Sequence, residues 1–147
     1  YLTLHFFHHN FQGIHRLSFL STVIKKSKNV HWDSIVLRIN DYRLNSFCYP
    51  VFLLLKKYYN TPIPIKFMKK ILPNPQQIQY INRLIMKINI FNDDRRLNAG
   101  VKRFKNLFFL SPEPLWKKIF VFINPLVISA FLWSLKEKVF SSVVTRQ

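Results

Sequence analysis

Four of the five histidines of this chain lie near its start, in the stretch LHFFHHNFQGIHRL at residues 4–17. His5, His8 and His9 have the spacing i, i+3 and i+4, which places them on one side of a helix. Imidazoles at that spacing can bind a transition metal, contact an anion or hydrogen-bond on a packed face. Zinc takes three or more protein ligands, and no acid or cysteine lies close to them in the sequence. We therefore predict no metal site, and expect the histidines on a partly buried face or against an anion.

The acidic residues offer little catalytic chemistry. Asp93 and Asp94 form the only pair, and adjacent side chains on a helix diverge by about 100°. Arg95 and Arg96 follow at once, which is typical of a charge-paired turn in solvent. A two-metal site needs carboxylates that converge on one point, and no spacing here suggests a nucleophile with a paired base. We predict no catalytic residue, so that this segment alone is non-catalytic.

The positive charge is the most unusual feature of the composition. The chain has 23 Lys and Arg against 6 Asp and Glu, a formal net charge of +17. Such an excess indicates nucleic acid, an anionic membrane or an acidic partner domain. The chain is equally rich in residues with A+T-rich codons, so a biased genome explains much of the same pattern, and both interpretations stay open. The lysines form pairs at predicted helix ends, typical of a solvated rim, at 25–26, 56–57, 69–70 and 117–118.

Several protein classes are excluded or disfavoured by simple counts. Gly13 and Gly100 are the only glycines and lie far apart, so no glycine-rich phosphate loop can form. Cys48 is the only cysteine, which excludes a disulfide within the chain and a cysteine-based zinc site. No secretory signal pattern is visible. We expect a cytoplasmic location, with peripheral membrane contact as an alternative.

Apolar residues recur at helical spacing along the whole chain. The pattern predicts an all-α, multi-helix bundle of about seven to nine helices, as a fragment of a larger α/β-plus-helical protein. Asn45 or Ser46 is the expected cap of the fourth helix, and residues 61–64 must be extended because proline disfavours the helical region for its predecessor. The predicted helices lie at 2–10, 14–27, 31–44, 47–59, 65–71, 75–91, 97–110, 115–123 and 126–140.

Residues 119–133, IFVFINPLVISAFLW, have no charge. The stretch is shorter than the roughly 18–20 residues that span a bilayer, and Asn124-Pro125 interrupts it. We expect two buried helices joined there, with membrane contact through residues 119–133 as the less favoured alternative. The predicted domains are a helical domain at 1–111 and a C-terminal apolar helical tail at 112–147 packed on it.

The order of the segments is similar to that of a known family. The first part of the family pattern is a helix with LLHLxxH, a short gap and a basic-apolar helix of the form LRWLxDI. It is similar to the stretch LTLHFFHHNFQGIHRLSFLSTVI. The second part is a Trp-led helix, a turn, an apolar helix and gtPvPxxxlxxL, which resembles the stretch VHWDSIVLRINDYRLNSFCYPVFLLLKKYYNTPIPIKFMKKI. Over residues 2–72 this order resembles the C-terminal helical half of the uncharacterised nucleotidyltransferase family, relatives of the polymerase-β-like nucleotidyltransferases.

The resemblance implies a catalytic α/β domain upstream, with an acidic Asp-x-Asp pair that holds Mg²⁺ for a nucleoside triphosphate. These 147 residues would then be the helical, substrate-side part, without a cofactor of its own and with the missing N-terminal catalytic domain as its partner. The matched positions are His5 with His8 or His9 for the first helix, Trp32 for the tryptophan, and Pro62 and Pro64 for the proline turn.

Ser21-Thr22 stands where the family has an acid after LRWL, which puts the activity of the whole protein in doubt. Lys25, Lys26 and Lys28 follow the histidine helices, so we expect them, together with the histidines, to contact substrate phosphates. The alternative function is a basic helical module that binds nucleic acid or an anionic membrane surface.

Overall fold

The structure is a computed structural model and describes residues 2–11, 13–88, 99–123 and 129. These residues contain eight helices and no strand, so the all-α prediction is confirmed. The helices are α1 (Leu2–His8), α2 (Ile14–Lys26), α3 (Trp32–Asp41), α4 (Asn45–Tyr59), α5 (Ile65–Lys70), α6 (Pro75–Lys87), α7 (Ala99–Leu110) and α8 (Leu115–Ile123).

The chain forms two compact units, Tyr1–Asp93 and Asp94–Gln147. The boundary predicted after residue 111 therefore lies within the second unit. The predicted helix at 126–140, and with it most of the apolar tail, lies outside the described residues. Each unit has its own helices: α1 to α6 belong to the first and α7 and α8 to the second.

Helix α4 is the centre of the first unit. Val51, Leu54 and Leu55 on this helix are fully buried, which matches its long apolar run. The first helix packs on its beginning, where Thr3 Oγ1 lies 3.4 Å from Cys48 Sγ and the ring of Phe7 lies 4.7 Å from that of Phe47. Burial raises the pKa of the Cys48 thiol, which stays protonated at neutral pH.

The start of α4 differs from the prediction. Leu44 is the N-cap and makes no side-chain cap bond. Asn45 is instead the first helical residue, and its side-chain amide donates to Asn40 Oδ1 at 2.8 Å, while Ser46 is buried at 2% exposure. A contact across the turn between α3 and α4 therefore engages the Asn45 side chain, and local spacing cannot show this contact.

Helix α6 starts as capping rules predict. The Asn74 side chain accepts a hydrogen bond from the Gln77 N–H at 2.9 Å, and Pro75 lies in the first turn, where its missing N–H costs nothing. Ile81, in the middle of the helix, is fully buried. The helix packs through this apolar side, as expected from isoleucines that recur at helical intervals in the sequence.

An aromatic cluster joins α3, α4 and α5. The Trp32 ring lies 4.6 Å from that of Phe67 and 6.3 Å from that of Phe52, and the two phenylalanine rings are 4.8 Å apart. Phe52 and Phe67 are buried at 4% and 2% exposure. Ile39 on α3 is also buried, whereas Tyr42 is exposed because this helix ends before it, short of the predicted end at residue 44.

Within the part of the chain that the structure describes, no helix combines the length and the apolar character that crossing a membrane needs.

Candidate functional site

Two of the histidines predicted to share one side of a helix lie close together. His5 is on α1 and His9 follows the end of that helix. His5 is exposed and His9 half-buried, and their rings meet edge to face with centroids 4.9 Å apart. Among the described residues, no group of three or more His, Cys, Asp or Glu side chains could hold a metal ion. The helix packs instead through its phenylalanines, since Phe6 and Phe7 are buried.

Ser21 lies in the interior of the first unit. Its exposure is 2%, and its Oγ lies 2.9 Å from Thr61 Oγ1, which is itself buried. Thr61 Oγ1 donates to the Leu55 carbonyl at 3.1 Å, so the Ser21 hydroxyl must donate to Thr61. Thr22, the next residue, is exposed and bonds to the Ser18 carbonyl. The residue at position 21 thus anchors α2 to the segment after α4.

This anchoring brings the last turns of α2 and α4 together. Lys25 Nζ donates to the carbonyl of Tyr59, the last residue of α4, at 2.7 Å. The Tyr59 hydroxyl donates to the Ile14 carbonyl at 2.9 Å, and burial raises its pKa, so it remains a donor at neutral pH. Asn60 adopts the left-handed conformation and ends α4. Two contacts from α2 to one residue fix the relative position of the two helices.

The proline segment holds this junction in place. Residues 61–64 are outside any helix, as predicted, and Pro64 is extended. The segment is not extended throughout, because the Ile63 N–H donates to the Thr61 carbonyl at 2.8 Å and closes a tight turn around Pro62. The two prolines are exposed, and the residue before each of them, Thr61 and Ile63, is buried. Pro64 is the N-cap of α5. The restricted backbone before each proline limits the conformations of the segment and keeps Thr61 against Ser21.

We name the cations at this junction the lysine cluster: Lys25, Lys26, Lys28, Lys56 and Lys57, all exposed. A helix C-terminus is equivalent to roughly −0.5 elementary charge, so the two ends together carry roughly one negative charge. Lys25, bonded to the Tyr59 carbonyl, is sufficient to offset it. The other four lysines are therefore a surplus of positive charge that the fold does not require.

No carboxylate among the described residues pairs with the lysine cluster. In residues 13–88 the acids are Asp33 and Asp41. Asp33 accepts a hydrogen bond from Lys70 Nζ at 2.7 Å, and this contact lowers the pKa of the Asp33 carboxyl. Lys57 contacts only a ring, that of Tyr58, with its Nζ 5.1 Å from the centroid. The cluster is thus free to attract anions.

The predicted anion contacts do not form one site. The histidine helix contacts Cys48 near the start of α4, whereas Lys25 contacts Tyr59 at its end. A helix rises about 1.5 Å per residue, which separates the two contacts by about 16 Å along α4. Lys25 is brought to the last turn of α4, which contains Lys56 and Lys57, while α1 contacts α4 near its start. His8 ends α1.

Sequence reasoning did not assign Lys56 and Lys57 to the site. The signal available was their position as a lysine pair at a predicted helix end, which they share with three other pairs. To assign them, one would need to know that residues 25 and 59, which are far apart in the chain, are in contact. No protein-family model, curated protein or solved structure matches this chain.

Proposed function

We propose that the unit Tyr1–Asp93 is the helical, substrate-side domain of a nucleotidyltransferase-like protein and that its lysine cluster binds the phosphates of the nucleotide. The observation that carries the proposal is the surplus of unpaired lysines where the last turns of α2 and α4 meet. The resemblance over residues 2–72 supports the class of protein.

Phosphate binding suits these side chains. A triphosphate carries several negative charges, and catalysis of its transfer depends on cations that offset them. Each lysine is a compact charge on a flexible stem, so four exposed lysines can adjust to a bound phosphate chain. The free lysines of the cluster are Lys26, Lys28, Lys56 and Lys57.

This chain contributes binding rather than chemistry in the proposal. The proposal assigns the Mg²⁺ and the Asp-x-Asp pair to a catalytic domain outside these 147 residues, as the resemblance implies, and places the whole protein in the cytoplasm, where nucleoside triphosphates are available.

A second candidate, binding of single-stranded nucleic acid, is favoured by one observation. Tyr58 is 36% exposed beside Lys57, in the last turn of α4. Exposed aromatic rings next to cations stack on bases while the cations contact the backbone phosphates. The two candidates share the same lysines, and they differ in whether a nucleotide alone is sufficient for binding.

Charge reversal of the free lysines tests the proposal. The variant K26E/K28E/K56E/K57E keeps Lys25, and with it the bond to Tyr59. We expect its affinity for ATP, measured by titration calorimetry at physiological ionic strength, to be about tenfold or more below that of the unchanged chain. Screening at that ionic strength limits the effect of distant charges, so the loss reports local contacts.

The matched control reverses four exposed cations on α5 and α6, in the variant K66E/K69E/R83E/K87E. It has the same net charge, and we expect it to bind ATP nearly as the unchanged chain does. Equal losses in both variants, or no loss in either, would contradict the proposal. Tight binding of a single-stranded oligonucleotide with no binding of ATP would favour the second candidate instead.

A further inference from the structure

Helix α8 of the second unit exposes a large apolar surface. The side chains of Leu115, Trp116, Ile119 and Phe120 are 64%, 58%, 46% and 65% exposed. We name these four residues the α8 face. Single exposed apolar residues are common, but four on nine residues of one helix form a contiguous patch of the kind that marks an interaction surface.

The four side chains share one side of the helix. At about 100° per residue they cover an arc of about 140°. Lys117 borders the arc at the Phe120 edge and Lys118 borders it at the Leu115 edge, each about 60° away. The α8 face is therefore an apolar stripe with one cation on each side.

The contacts of the bordering lysines show where the stripe points. Lys118 Nζ lies 5.6 Å from the ring centroid of Phe108, so this side of α8 faces α7. Lys117 Nζ lies 3.3 Å from Glu113 Oε2 and 5.5 Å from the Trp116 ring. The arc between them is turned away from the contact with α7.

The described part of the second unit has mostly positive charges. It contains three cations on α7, Lys102, Arg103 and Lys105, and the two lysines that border the α8 face, against one acid, Glu113. The complementary partner must therefore combine negative charge with an apolar interior.

We infer that the α8 face docks onto an anionic lipid bilayer, with Trp116 and Phe120 in the headgroup region. A bilayer surface accepts aromatic side chains at the boundary of its apolar interior and lysines at its phosphates. Nucleic acid would meet the lysines but leave the four apolar side chains in water. An amphipathic helix of this kind lies in the plane of the surface, with its apolar side toward the acyl chains.

Vesicle flotation with the full 147-residue chain tests this inference. One set of vesicles is phosphatidylcholine alone, and the other contains about one-third phosphatidylglycerol, which supplies the negative surface potential. We expect the chain to float with the anionic vesicles only. In the variant W116S/F120S, the partition coefficient should fall about tenfold or more, because two inserted aromatic side chains are lost.

The control variant L37S/M86S replaces two residues of the first unit, Leu37 and Met86, that are 63% and 76% exposed. It should float like the unchanged chain. Three results would overturn the inference: no flotation, equal flotation with neutral vesicles, or an equal loss in both variants. A dimer in solution that W116S/F120S dissociates, without any flotation, would assign the face to a second copy and would also overturn it.

Discussion

Two tryptophans of this molecule have opposite surroundings. Trp32 contacts Phe52 and Phe67, which come from two other helices, and its ring closes a buried cluster in the first unit. Trp116 contacts Phe120 of its own helix, with ring centroids 6.1 Å apart, and is 58% exposed. The Trp32–Phe52 and Trp116–Phe120 pairs both have the edge-to-face geometry that aromatic rings favour. The geometry of a pair therefore does not reveal whether it stabilises a core or remains available at the surface.

The two tryptophans differ in the number of helices that supply the rings they contact. A ring packed against two other helices loses much of its contact with water, and its removal leaves a cavity that cannot close unless those helices move. A ring contacted within one helix keeps its outer side in water. The same residue type thus contributes to stability in one unit and to recognition in the other.

The contrast between the two regions is tested most strongly by removing one ring from each. We expect Phe67→Ala to lower the free energy of unfolding by about 3–5 kcal/mol, the usual cost of deleting a buried phenylalanine. Phe120→Ala should change it by less than about 0.5 kcal/mol, as for other surface positions. Urea unfolding followed by far-UV circular dichroism measures both.

Equal destabilisation by the two substitutions would contradict the comparison. It would mean that Phe120 is packed to the same degree as Phe67, and the inference of a free α8 face would fail with it.

A smaller contrast between interior and surface lies within α2. Ser21→Ala should cost about 1–3 kcal/mol, because it removes a buried hydrogen bond and a donor to Thr61. Thr22→Ala should be close to neutral, since its hydroxyl bonds a carbonyl on the exposed side of its own helix. Urea unfolding at neutral pH compares the two, and a larger effect at Thr22 than at Ser21 would show that the junction is not the anchor.

Much of the fold was predictable from local spacing. Helix α7 ends at residue 110 and α8 begins at residue 115, as predicted, and α2 ends one residue before its predicted end. Apolar periodicity determines such elements because each helix buries one face. The predicted cap of α4 was wrong. Asn45 donates a hydrogen bond to Asn40 across a turn, a contact that no local rule specifies.

The candidate site was predictable only in part. Lys25, Lys26 and Lys28 were singled out by their place after the histidine helices, while Lys56 and Lys57 lacked any distinguishing neighbour in the sequence. The contact that joins the two groups spans 34 positions, from Lys25 to Tyr59. It depends on how α2 packs on α4, and a single sequence carries no direct signal of that packing.

Amide chemical-shift mapping with inorganic triphosphate tests the central claim most directly, because it locates the bound anion without any substitution. The account predicts that the largest shifts fall on residues 25–28 and 56–60, where the last turns of α2 and α4 meet, and that they weaken as salt is added. Shifts centred instead on Lys66, Lys69 and Lys87 of α5 and α6, or no shifts at all, would contradict it.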